Sequence, residues 1–159
     1  MIQITKSMII NKPINDVWKL MYGEFADVGK WVTGVYSSRP GTKEENYDRV
    51  CDTFTGKLYE KLLSVDEKNY TYVVDAKGLP KFVKSFTGRW KFDKISDNKT
   101  KATLNLTIET KGILGAILQI PLKFQLNKGL NELHSDLSTY METGKPSASK
   151  QKEIRKKKK

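Results

Sequence analysis

Cysteine and histidine are almost missing from this 159-residue chain, which has only Cys51 and His134. A single cysteine excludes an internal disulfide and fits a reducing compartment, so a cytoplasmic location is expected. One histidine and one cysteine, without clustered carboxylates, form no metal site of ordinary composition. No metal or cofactor is therefore expected. A nucleophile–base pair would need Cys51 or a serine beside His134 in space, and a half-exposed helical residue is the simpler reading of His134. Long hydrophobic runs are also absent: no stretch of 18 apolar residues exists, so no transmembrane segment is expected. The opening Met1-Ile2-Gln3-Ile4-Thr5-Lys6 has neither the charged start nor the apolar stretch of a signal peptide.

What is present suffices for one folded domain. Hydrophobic residues make up 38% of the chain, with three Trp, seven Tyr and six Phe, which argues against disorder of the whole chain. The formal net charge is +11, unevenly spread. Residues after Gly144 carry eight positive charges against Glu153 alone, leaving residues 1–144 at +4. That tail lacks apolar periodicity, and Pro146-Ser147-Ala148-Ser149 opens it like a linker. The expected organisation is a folded domain at 1–143 and a disordered basic tail at 144–159. Lys156–Lys159 could attract phosphate backbones or anionic lipid. No aromatic is interleaved to stack on bases, so no specific nucleic acid partner is expected.

Along the chain, residues 2–10 read as a strand, and Asn11-Lys12-Pro13 as helix-initiating punctuation. Ile14, Val17, Trp18 and Met21 form one apolar helical face, and a second short helical turn fits 25–30. About six strands follow, separated by short polar turns, the pattern of an antiparallel meander. From Leu114 to Tyr140, leucines and isoleucines step by threes and fours. A helix over 114–141 would be about 42 Å long, kinked at Pro121 and stopped at Gly144. The order, one strand, two short helices, about six strands and one long helix, predicts an α+β fold in which the long amphipathic helix covers the apolar face of an antiparallel sheet.

This order resembles the helix-grip proteins of the START-like, or SRPBCC, superfamily, in particular its polyketide cyclase/dehydrase-like branch. The residues that carry the likeness are Pro13-Ile14-Asn15-Asp16-Val17-Trp18, Trp31, Arg49, Gly56-Lys57-Leu58-Tyr59-Glu60-Lys61-Leu62, Asp66, Tyr70-Thr71-Tyr72 and Gly78-Leu79-Pro80. The likeness spans residues 2–143. It implies a helix-grip fold, a seven-stranded antiparallel sheet curved around the long C-terminal helix with two short helices after the first strand. It also implies a cavity between sheet and helix that holds a small or medium hydrophobic ligand, lipid-like or polyketide-like. Where the plant hormone receptors of the superfamily carry a gate loop, this chain has Thr53-Phe54-Thr55-Gly56, which argues against a hormone-gated receptor.

The resemblance also singles out Arg49 and Glu60, whose matching positions point into the cavity in plant relatives. A carboxylate in an apolar pocket can move a proton, and a guanidinium can hold an oxyanion. Glu60 and Arg49 are thus the candidate catalytic pair of a cyclase, dehydratase or isomerase. The plainer reading is a cross-strand ion pair on the outer face. Cys51 shares the parity of Arg49. Phe86, Gly88 and Trp90 share one parity on their strand, and with Trp31, Val73, Leu126 and Leu130 they are the expected apolar lining. Ordinary core packing is the alternative for each. Oligomeric state, monomer or homodimer, is left open by the sequence.

Overall fold

The computed structural model describes all 159 residues. Seven strands, β1 (Ile2–Ile10), β2 (Val35–Pro40), β3 (Arg49–Thr53), β4 (Gly56–Asp66), β5 (Thr71–Lys77), β6 (Val83–Ser96) and β7 (Lys99–Thr110), form one antiparallel sheet in the order β1-β7-β6-β5-β4-β3-β2. The meander β2 to β7 is joined by short turns. Only β1 crosses over, to pair with β7, because the helical segment Ile14–Lys30 carries the chain from one sheet edge to the other. That segment is α1 (Ile14–Trp18), a π-helical turn (Lys19–Gly23) and a 3₁₀ turn (Phe25–Lys30). The 3₁₀ turn lies tight on β2. Ala26 accepts from the Ser38 hydroxyl at 2.6 Å, and a Cβ on Gly29 would sit 2.7 Å from the Ser38 backbone nitrogen.

Alternation places one apolar row of each strand inward. Ile2, Ile4, Met8 and Ile10 pair across with Ile108, Leu106, Ala102 and Thr100, and Phe86, Gly88, Trp90 and Phe92 continue the row on β6. The apolar side chains of these rows, with Leu130 and Leu137 of α3 (Gln119–Thr143), make one core.

The C-terminal helical part differs from expectation in two ways. The long helix is divided, not kinked. Leu118 separates α2 (Gly112–Ile117) from α3, so Pro121 falls in the first turn of α3, where its missing N–H removes little. Gly144 ends α3 in the left-handed conformation with φ 70°, as expected. The second difference is the tail, expected to be disordered: Ala148–Lys157 is a helix, α4, docked on the domain. Polar contacts hold it. Ser147 caps α4 and donates to buried Asp136, which also accepts from the Thr33 backbone N–H at 2.7 Å and hydroxyl at 3.0 Å. Lys150, 1% exposed, donates to the Val35 carbonyl and to Glu153, both at 2.6 Å, and Glu153 accepts from the Gly34 N–H at 2.8 Å. Each buried charge thus has partners, as burial of a charge demands.

Candidate functional site

Antiparallel register sets Arg49 on β3 directly opposite Glu60 on β4. The turn Thr53–Gly56 is short enough to fix that register. Both side chains point inward, contrary to the outer-face alternative. Arg49 Nε donates to Glu60 Oε2 at 2.6 Å, and Nη1 donates to the Phe25 carbonyl at 2.7 Å. The guanidinium carbon lies 3.8 Å from the centroid of the Phe25 ring, a cation–π contact. Glu60 is 7% exposed. Burial alone would lower the Arg49 pKa, but the charge and hydrogen bond of Glu60 outweigh it, and the net shift is upward.

Cys51 joins the pair from the same strand face, with its Sγ 3.6 Å from Glu60 Oε2. Burial pushes its thiol up to about 12, which rules out a nucleophilic thiolate near neutral pH. Tyr72, on β5, is likewise pushed upward by burial, within range of the charges of Arg49 and Glu60. From the pair a series of rings runs across the concave face. Phe25 meets Tyr72 edge-on at 6.0 Å, Tyr72 meets Phe92 at 6.3 Å, and Phe92 stacks on Trp90 at 5.8 Å.

The expected lining divides accordingly. Gly88 and Trp90 are buried on this wall and Phe86 is half-buried beside them. The room left by Gly88 is taken by Val74, Leu104 and Phe86, whose atoms lie 3.3, 3.6 and 3.8 Å from where a Cβ would stand. Leu126 and Leu130 approach from α3, half-buried and buried. Trp31 is buried against Tyr140 of α3, with ring centroids 6.2 Å apart, and its indole N–H has no hydrogen-bond partner.

Val73 is a correction. It pairs with Arg89, while Tyr72 pairs with Trp90 and Val74 with Gly88, so alternation turns Val73 to the opposite face of the sheet. Tyr72 and Val74 occupy the wall in its place. Phe25 and Tyr72 are the contributors that residue patterns alone missed. The signal for Tyr72 was its two-residue step to Val74. Nothing local in the sequence places Phe25 under Arg49.

The well-formed hollows lie on the surface. One of about 510 Å³ is lined by Thr33, Tyr36, Glu132 and the α4 residues Ser149, Lys152, Glu153, Lys156 and Lys157. A second, of about 300 Å³, lies between α1 and the end of α3, and a third, of about 330 Å³, by the β2–β3 loop. None of the three includes Arg49, Glu60 or the aromatic wall.

A seven-stranded antiparallel sheet gripping a long C-terminal helix defines a helix-grip protein. The chain belongs to the family described as polyketide cyclase/dehydrase and lipid transport, whose model matches residues 1–137. Similar solved structures share the fold at low identity. A START superfamily protein from Mycobacterium smegmatis is 10% identical, with a TM-score of 0.71 over 88% of this chain and 97% of its own. The ZhuI aromatase/cyclase from Streptomyces sp. R1128 is 8% identical, with a TM-score of 0.68 over 92% of this chain and 99% of its own. An uncharacterised protein from Bacillus thuringiensis is 19% identical, with a TM-score of 0.66 over 84% of this chain and 96% of its own. No curated protein matches the chain. No helix is long and apolar enough to cross a membrane.

Proposed function

We propose that this protein binds a small or medium hydrophobic molecule, lipid-like or polyketide-like, between the concave face of the sheet and α3, with the polar end of the ligand at Arg49 and Glu60. The observation that carries this reading is the ion pair itself. A charge pair set among aromatic rings is a poor stability device, since two charges are desolvated where apolar side chains would serve as well. It is well suited to hold the one polar group of an apolar ligand. The unpartnered indole N–H of Trp31 is a second donor inside the same core.

Space for the ligand comes from the first half of α3. Leu122 and Leu126 there are only half-buried, and the break at Leu118 gives that half a hinge. Leu130 and Leu137 hold the second half in the core. The ligand enters by displacing the first half from the wall.

Displacement of 1-anilinonaphthalene-8-sulfonate fluorescence by single-chain fatty acids and alcohols tests this. Wild-type protein should take up the dye and release it to either ligand with one-to-one stoichiometry. In the double variant Arg49→Met/Glu60→Leu, which removes the pair without leaving a lone buried charge, the fatty acid should compete at least about tenfold less well. Absence of dye uptake, or equal competition by the double variant, would count against the proposal.

The same pair favours a second reading, acid–base catalysis of a cyclase, dehydratase or isomerase type. Here Glu60 moves a proton and Arg49 stabilises developing negative charge. If turnover of a candidate substrate survives Glu60→Gln, that assignment fails.

A further inference from the structure

One end of the molecule is apolar and basic together. Six of the twelve exposed large apolar side chains gather there: Phe54, Ile113, Leu114, Ile117, Ile120 and Phe124. Their common location follows from pairing. Lys111 N–H donates to the Phe82 carbonyl at 2.8 Å, which holds α2 beside the β5–β6 connection. That connection abuts the start of β4, where Gly78 lies so close to the Lys57 carbonyl that a Cβ would overlap it. The β3–β4 turn follows with Phe54, and its Thr53 pairs with Val35. Lys157 of α4 reaches the same corner, donating to the Tyr36 carbonyl at 3.0 Å.

Ile113, Ile117, Ile120 and Phe124 step by four, three and four, so they form one outward stripe across α2 and α3, each 68–83% exposed. An inward-packed helix buries such a stripe, and this one is turned to solvent. Between Glu109 and Glu132 the chain has no acidic residue but has Lys111, Lys123 and Lys128, all exposed and none in an ion pair. Lys81 next to α2 is also exposed and unpaired. The other end of the sheet is different. It also exposes Ile9, Leu63, Val65 and Ile95, but these are spread over three strands rather than aligned in a stripe, and its turns carry Asp66, Glu67 and Asp97 among their lysines.

We infer that this end docks on an anionic phospholipid bilayer, with the isoleucine–phenylalanine stripe inserted at the headgroup level and the lysines against lipid phosphates. A helix apolar on its exposed side and flanked by lysine is the pattern that lies in a membrane interface. Each lysine near such a surface adds attraction that salt screens. A second copy of the chain fits less well. A two-fold contact through the stripe would bring its unpaired lysines against one another, and the acid beside them, Glu109, is already paired with Lys84. Docking would set the hinge at Leu118 on the membrane, where a lipid-like ligand is found. The docking itself does not depend on the ligand reading.

Co-sedimentation of the full chain with vesicles of phosphatidylcholine alone, and of phosphatidylcholine mixed with phosphatidylglycerol, tests the inference. Wild-type protein should bind the mixed vesicles, leave the neutral ones, and be released by high salt. Ile120→Glu/Phe124→Glu should lose at least about tenfold in binding, and Lys111→Glu/Lys123→Glu several-fold. Because all four positions are exposed, thermal unfolding should be unchanged. Dye uptake lost while vesicle binding persists would overturn the ligand reading and support this one. No binding to the mixed vesicles, or equal binding by Ile120→Glu/Phe124→Glu, overturns the inference. So does a wild-type dimer that this variant splits, since the stripe would then belong to a second copy.

Discussion

Removing one partner of the Arg49–Glu60 pair should be far more damaging than removing both. Arg49→Met leaves the Glu60 carboxylate 7% exposed with its principal partner gone. A broken buried pair costs about 3–5 kcal/mol. The same change deletes the stack on Phe25 and the donor to its carbonyl, so the upper half of that range is expected. Arg49→Met/Glu60→Leu removes both charges and leaves apolar volume, and it should lie within about 2 kcal/mol of wild type. Glu60→Leu alone should also cost about 3–5 kcal/mol, so the double-mutant cycle should give a coupling energy of at least about 5 kcal/mol. Urea unfolding followed by tryptophan fluorescence measures it. With m of about 2 kcal/mol per molar urea, Arg49→Met should lower the midpoint by about 2 M. If both single variants shift stability by less than about 0.5 kcal/mol and the coupling vanishes, the pair is behaving as an exposed one, and the reasoning about a buried polar anchor is wrong.

Other consequences can be measured separately. At pH 8 a thiol ionising near 12 is about one part in ten thousand thiolate, so Cys51 should resist Ellman's reagent in the native protein and react fully in urea. Fast native labelling would contradict its burial. Lys150→Met leaves the Val35 carbonyl without its donor and Glu153 without its cation, and should destabilise by about 1–3 kcal/mol, with the docking of α4 lost in hydrogen exchange. Exchange of α4 amides at random-coil rates in wild type would show that the helix is not held. Gly78→Ala puts a methyl on the Lys57 carbonyl at φ +87°, and should cost at least about 2 kcal/mol by urea midpoint. Hydrogen bonds from Arg39 and from the Thr42 backbone N–H lower the Glu45 carboxyl from 4.5 to about 2. Its contribution to stability is complete above pH 4.5 and disappears as pH falls through about 2. An NMR titration midpoint near 4.5 for Glu45 would refute the pairing.

The sheet and its two-faced strands were legible because period-two patterning and short turns leave few registers. That suffices to put Arg49 with Cys51 on one side of β3, and Gly88 with Trp90 on one side of β6, whereas the inward position of Arg49 and Glu60 was implied by the family resemblance and not by periodicity. Val73 was misplaced because facing within one strand does not fix how neighbouring strands align. Its side became clear only from the pairing of β5 with β6. Helix α4 was invisible for a different reason. Hydrophobic periodicity detects helices that bury apolar stripes, and this one is held by Lys150, Glu153 and the Ser147 cap. Pro146-Ser147, a turn residue followed by a good N-cap, was the available signal. The outward stripe on α2 and α3 reads in sequence like part of a core helix. Only its exposure distinguishes it.

The central claim is that an apolar ligand lies against the aromatic wall with its polar end on the ion pair. NMR titration of the side-chain N–H resonances of Trp31, Trp90 and Arg49 with a medium-chain fatty acid tests this most directly. Saturable shifts of all three at one-to-one stoichiometry are predicted. Resonances that stay fixed while the fatty acid remains free, or that stay fixed while it binds elsewhere, would contradict the claim.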